Sequence, residues 1–238
     1  MLGPPVEEHG GNKWVMLAVG ALLALIGYPF VMPPEKPNVT GAAILTAIVA
    51  PIIGWLWSVK VTLHQDGITY QSWFANKEMR WEDVDRFYFS SIRRSVNFIP
   101  IGTYYTFKLV DTLGQKISFG NQVERPGTLA EKLISLTYGP LIKKIAQAFD
   151  SGKEIDFGGI RVSRQNGLQV KKSRWGGLTH KFVVIPWNQV SSYDIQKGHF
   201  YVWRVDEKKT TGPALREVPN AFVLKGLLDA LFRPKASA

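Results

Sequence analysis

Four histidines, no cysteine and nineteen carboxylates are the residues with which this 238-residue sequence would have to build catalysis or a metal site. Without cysteine there is no thiolate nucleophile, no disulfide and no cysteine metal ligand. His9 lies in a Gly-rich N-terminal stretch, His64 and His199 fall in strand-like segments, and His180 falls in a basic loop. None has the spacing that would place a metal site on one element, so zinc would need distant carboxylates. Gly10-Gly11 and Gly176-Gly177 are isolated pairs outside a strand–loop–helix context, which argues against a phosphate loop. No nucleophile elbow occurs. Asp83 and Asp85 alternate and would share a strand face, where Arg80 and Arg86 make them part of a surface ion-pair network. Trp81 and Trp187 are expected to fill hydrophobic cores. The expectation is a non-enzyme with no catalytic residue, cofactor or metal; an enzyme would have to assemble its site from residues scattered across an inter-domain cleft.

Positive charge is the next chemistry to weigh. The formal net charge is +10. In the first 60 residues Lys13, Lys36 and Lys60 balance Glu7, Glu8 and Glu35, so the excess belongs to residues 61–238. Lys171, Lys172, Arg174 and Lys181 fall with Trp175 in one predicted loop. Lysine and arginine near an anionic lipid surface gain ~1 kcal/mol each, and tryptophan favours the headgroup level. A second stretch places Arg93 and Arg94 before an apolar tip, Phe98 and Ile99 to Ile101. That tip would enter an interface or bury against a partner. Lys171, Lys172, Arg174, Trp175, Lys181, Arg93, Arg94, Phe98 and Ile99 are the candidate contacts for anionic lipid headgroups or a protein partner. A solvated hairpin in the first case, and an ordinary hairpin core contact in the second, would have the same compositions. Nucleic acid is the other usual partner of basic charge; the apolar segments near the N-terminus argue against it.

Two uncharged runs, residues 14–32 and 40–59, flank the sequence PPEKPNV. A helix rises ~1.5 Å per residue, and ~20 apolar residues cross a bilayer, so the runs predict a two-helix transmembrane hairpin. The three prolines between them stop the first helix. Glu7 and Glu8 upstream, and the length of the apolar core, argue against a cleaved signal peptide. Trp14, Tyr28, Trp55 and Trp57 near the run ends suit the headgroup level. Lys13 and Lys60, with the basic remainder behind them, argue that both termini and the soluble part are cytoplasmic.

The elements that follow come twice. Strand-like stretches flank Asp66-Gly67 and residues 111–114, and residues 128–149 then repeat apolar side chains at helical spacing. Thr128 and Glu131 make a capping box, and Gly139-Pro140 is expected to kink or split the helix. Asn166-Gly167-Leu168 echoes Asp66-Gly67-Ile68, and Pro186-Trp187 with Val190 echoes Arg80-Trp81 with Val84. The glycine-to-tryptophan interval is longer in the second copy. That copy ends in a helix over residues 221–232, with Asn220 as its cap. A strand-then-helix unit repeated in this way outranks local propensity as evidence for architecture.

At these residues the sequence resembles bacterial pleckstrin-homology-like (PH-like) domains, and over its C-terminal part an uncharacterised bacterial family that carries them. The resemblance implies bent antiparallel sheets, each closed by a helix, on a membrane-tethered interaction module; it carries no catalytic residues. The expected architecture is an α+β membrane protein, in the bacterial inner membrane that the resemblance implies. It comprises an N-terminal tail (1–13), a transmembrane helical hairpin (14–59), a first PH-like domain (60–152) and a second (153–235). The expected function is a non-enzymatic scaffold whose domains dock on a membrane protein complex as a subunit or assembly factor, or bind anionic lipid as a peripheral module.

Overall fold

The computed structural model describes residues 2–31, 39–96, 99–174, 179–205 and 212–232. Among these residues the fold is α+β, with four α-helices and four small antiparallel sheets. The chain divides into two compact units, Met1–Arg80 with Phe119–Gly127, and Trp81–Ser118 with Thr128–Ala238.

In the first unit, strands β1 (Pro5–His9), β2 (Lys60–His64), β3 (Gly67–Ser72) and β4 (Ala75–Arg80) form one sheet in that order. Alternation sets the faces. Val61 and Leu63 are buried between outward Lys60, Thr62 and His64, as a strand with one face on a core requires. The N-terminal residues expected to be a tail are therefore an edge strand, with His9 opposite Val61. Their polar pattern, Glu7-Glu8, hid this, because an edge strand needs few apolar residues. His9 is buried, and its Nδ1 lies 3.0 Å from the Glu124 carbonyl oxygen. Backbone bonds from Asn12 to Gln122 and from Glu124 to Gly10 fasten the same segment.

Helices α1 (Lys13–Val31) and α2 (Val39–Ser58) lie between β1 and β2. They pack antiparallel: Gly20 faces Ile53, and Gly27 faces Leu45. The helical hairpin is present, but the transmembrane reading is not supported. Among the described residues, no helix is long and apolar enough to cross a membrane. Pro51 also interrupts the bonding of α2. The membrane-protein fold class is thus corrected to α+β, with no membrane span among the described residues. The localisation in a bacterial inner membrane through two spans, with both termini cytoplasmic, falls with it.

In the second unit, β5 (Val84–Val96) pairs with β6 (Ile99–Asp111), and β6 with β7 (Lys116–Gly120), whose last two residues belong to the first unit. The Asp111 carboxylate closes the β6–β7 turn by accepting N–H bonds from Leu113 and Gln115. Helix α3 (Pro126–Asp150) is continuous through Gly139-Pro140. The expected break is overridden because Leu133, Thr137, Leu141, Ile145 and Phe149 form one buried stripe, in phase on both sides of an exposed proline. The helix starts two residues before Thr128, at Pro126, whose fixed φ suits a first helical position.

The repeat is visible in the architecture. Strands β8 (Ile155–Phe157), β9 (Ile160–Ser163), β10 (Gly167–Arg174) and β11 (Thr179–Ile185) form a sheet of the same sequential order as β1–β4. A helical turn at Trp187, the pair β12 (Val190–Gln196) and β13 (His199–Arg204), and helix α4 (Ala221–Phe232) follow. The echoed glycines share a cause. A Cβ on Gly67 would collide with the Met79 carbonyl oxygen, and one on Gly167 with that of Ile185. Each carbonyl lies two residues before the echoed tryptophan. Aligned this way, β1 matches β8 and β2 matches β9. Gly158-Gly159 joins the second pair, whereas residues 10–59, the whole helical hairpin, join the first.

Candidate functional site

The first unit exposes a wide apolar surface on the hairpin. Leu17, Leu22, Leu25 and Tyr28 of α1, and Ile44, Ile48 and Ile52 of α2, are all exposed. At the end where the hairpin joins the sheet stand Trp14, Trp57, Trp73 and Phe74. Trp73 and Phe74 come from the β3–β4 turn. The Trp73 ring lies over Gly54, and its backbone N–H donates to Ser58 Oγ at 2.9 Å. Trp73 and Phe74 went unnoticed in the sequence, because two turn residues beside a strand carry no signal that a helix lies against them.

The second unit contains a groove of about 250 Å³. Its apolar floor includes Leu141, Ile145, Ile155 and Phe157, and its charged rim includes Asp85, Arg86, Lys144, Glu154 and Asp156. The rim charges compensate one another. Lys144 Nζ is 2.8 Å from Asp85, Arg86 Nε is 3.6 Å from the same carboxylate, and Arg161 approaches both Glu154 and Asp156. The Arg86 guanidinium is held above its ordinary pKa, first by a hydrogen bond with Tyr88, so it is a fixed cation. Asp85 thus belongs to an ion-pair network with Arg86, as the sequence suggested. Among the described residues, no three His, Cys, Asp or Glu side chains are placed to hold one metal ion.

Asn220, at the groove's inner end, organises this region. It is buried with φ +55°. Its Oδ1 accepts the Phe87 N–H at 2.8 Å, its Nδ2 donates to the Asp85 carbonyl at 2.8 Å, and its own N–H donates to the Phe87 carbonyl at 2.7 Å. Its carbonyl accepts the Leu224 N–H. One residue therefore caps α4 with its backbone and pairs with the edge of β5 like a short strand. The sequence signalled only the cap.

Among the described residues, the predicted contact residues fall in two strand pairs. Lys171, Lys172 and Arg174 are part of β10, and Lys181 is part of β11, because the extra residues of the second copy lengthen a strand pair. Lys172 stands opposite Lys181. Lys171 lies 3.8 Å from Glu217. Arg93 and Arg94 sit in β5 opposite Thr103 and Gly102, and Ile99 begins β6 opposite Val96. Trp175 and Phe98 lie outside the described residues. Among the described residues the histidines form no common site. His64 bridges Gly3 and Thr69, with 2.9 Å to the Gly3 carbonyl oxygen and 3.0 Å to the Thr69 hydroxyl, while His199 starts β13.

Comparison with known families adds one finding. Residues 1–235 match a family described as "Family of unknown function (DUF6585)". The chain belongs to that family. The match takes in β1, the helical hairpin and both sheet repeats, so the hairpin is inside the family's extent and is not an appendage to it. No curated protein matches the chain.

Proposed function

We propose that this member of the family is a non-enzymatic interaction protein, a subunit or assembly factor that docks through its helical hairpin. We further read its two strand–helix repeats as PH-like modules of bacterial type; the recurring four-strand order and the closing α-helices support this. One observation carries the docking role. The second repeat joins its first two strands with Gly158-Gly159, while the first spends residues 10–59 on the same connection. A sheet of this kind can be closed without the hairpin, so the hairpin has another use, and its exposed aliphatic and aromatic side chains indicate docking. Contiguous exposed apolar surface on a folded protein marks interaction sites.

The test is purification of the full chain under mild detergent, alongside Leu22→Asp and Ile48→Asp variants. A partner retained at fixed stoichiometry by the parent and lost from both variants is the expected result. Equal retention by the parent and the variants, or a solitary monomer that also fails to associate with lipid vesicles, would overturn the reading.

The distribution of charge favours a second docking chemistry. In the first unit Lys13, Lys36, Lys60, Lys77, Arg80 and Arg125 balance Glu7, Glu8, Glu35, Asp66, Glu78 and Glu124, so the full +10 belongs to the second. Such a unit attracts anionic surfaces, among them anionic lipid headgroups, over ~8 Å at physiological ionic strength. Salt-dependent retention on phosphatidylglycerol vesicles, weakened by neutralising Lys171, Lys172 and Lys181 together, is the corresponding test.

A further inference from the structure

We infer that the occupant of the hairpin surface is the uncharged interior of a lipid surface, entered from one side and independently of the basic unit. The inference rests on the docking role of the hairpin. Three observations select lipid over a folded protein. First, exposure runs around α2 and is not confined to one stripe. Residues 46–48 and 50–52 are exposed in succession, and successive helical positions turn ~100°, so each triplet covers ~200° of the circumference. A single protein face covers a stripe, whereas a fluid apolar phase surrounds a helix. Helices apolar all round are otherwise found only in deep cores or in lipid.

Second, the side chains are graded along the hairpin. The sheet end carries Trp14, Trp57, Trp73 and Phe74 with Lys13 and Lys60, and the stretch beyond it is aliphatic, with Leu22, Leu25, Ile44 and Ile48, before Tyr28 near the far end of α1. Amphipathic rings favour the headgroup level, and aliphatic side chains the layer below it. Third, the first unit has no net charge, so its attraction to lipid needs no anionic headgroup. The described helices do not cross a hydrocarbon layer, and entry from one side requires no crossing.

The experiment uses the full chain with vesicles of pure phosphatidylcholine, in low salt and in 0.5 M salt, where charge is screened within about 4 Å. Co-sedimentation and a blue shift of tryptophan emission are read together. The expected result is partition into these uncharged vesicles that persists in high salt. Each of Leu22→Asp and Ile48→Asp should reduce it by roughly tenfold or more, from the apolar burial lost. Both positions are exposed, so circular dichroism of each variant should match the parent. Lys172→Gln with Lys181→Gln should leave partition into phosphatidylcholine unchanged.

Partition restricted to anionic vesicles and abolished by salt would overturn the inference, because charge on the second unit would then account for it. No partition into vesicles, together with a protein partner lost on the same two substitutions, would overturn lipid as the occupant and leave the docking role standing. No partition and no partner dependence on Leu22 or Ile48 would overturn both.

Discussion

Replacing Asn220 by alanine should destabilise the second unit by ~3 kcal/mol. The Phe87 N–H is buried and bonds to Asn220 Oδ1, and leaving such a donor unpaired costs about 1–3 kcal/mol. The Asp85 carbonyl borders the open groove, where water can replace the lost Nδ2 donor, so its share is small. The backbone adds a second contribution. At φ +55° an alanine pays roughly 1–2 kcal/mol for left-handed geometry that asparagine tolerates better. Asn220→Gly removes the hydrogen bonds without that strain, so it should lose about 1 kcal/mol less than alanine. For a unit of this size ~3 kcal/mol corresponds to roughly 6–12 °C in Tm. Two units make a single unfolding free energy ambiguous, so the assay is hydrogen exchange at the Phe87 amide together with thermal unfolding. Expected are faster Phe87 exchange in both variants and a lower Tm in the order parent, glycine, alanine. An alanine variant within ~0.5 kcal/mol of the parent (a difference typical of a neutral surface substitution), with Phe87 exchange unchanged, would refute the reasoning.

The echoed tryptophans should differ in effect. Trp81 is buried, and Trp81→Ala should cost ~3–5 kcal/mol. Trp187 is half-buried against Phe149 and Phe232, with its Nε1–H on the Arg164 carbonyl, so Trp187→Ala should cost less; equal shifts in the urea midpoint would contradict this. Asp194 is held below the ordinary carboxylate range, first by the Gln196 side-chain amide and then by the Ile195 N–H. A depressed folded-state pKa contributes stability above the unfolded value and loses it as pH falls through the folded one. Gln196→Ala should therefore move the Asp194 titration, followed by carboxyl carbon NMR, upward; an unmoved midpoint would mean the amide does not hold it.

What was legible in the sequence was whatever carries a period or a turn residue. The stripe of α3, the β2–β3 and β6–β7 turns and the echo of Gly67 with Gly167 all recur in the fold. Composition alone does not decide a membrane span, because an uncharged run of residues looks alike whether or not it crosses a bilayer. The edge strand β1 was missed for the opposite reason: Pro5–His9 carries two glutamates, and its partner β2 lies fifty residues on, beyond reach of any local pattern. The basic cluster has the composition of a loop because Lys171, Lys172 and Arg174 follow one another. Strand pairing then set neighbours on opposite faces and brought Lys172 against Lys181. Asn220 was legible as a helix cap and illegible as the partner of β5, since that pairing spans more than 130 residues of sequence.

The insertion of residues 10–59 also has a physical explanation that bears on its role. Separating two paired strands by a long flexible loop adds closure entropy, although each doubling of length adds only ~0.6 kcal/mol. An antiparallel helix pair reduces even that, because it returns the chain to within about one interhelical distance, 8–10 Å, of its starting point. Neighbouring strands lie ~4.8 Å apart, so short connections suffice. Those connections are fixed at both ends. Asn12 Oδ1 accepts the Trp14 N–H at 3.1 Å and caps α1, while its own N–H donates to the Gln122 carbonyl at 2.7 Å. At the other end Ser58 Oγ donates to the Trp55 carbonyl and accepts the Trp73 N–H, which ties the last turn of α2 to the β3–β4 turn. The hairpin is thus held by the sheet at its base, and its apolar side chains are presented in a fixed direction relative to that sheet. A docking element needs that fixed presentation, because ordering it in advance removes a cost that binding would otherwise bear.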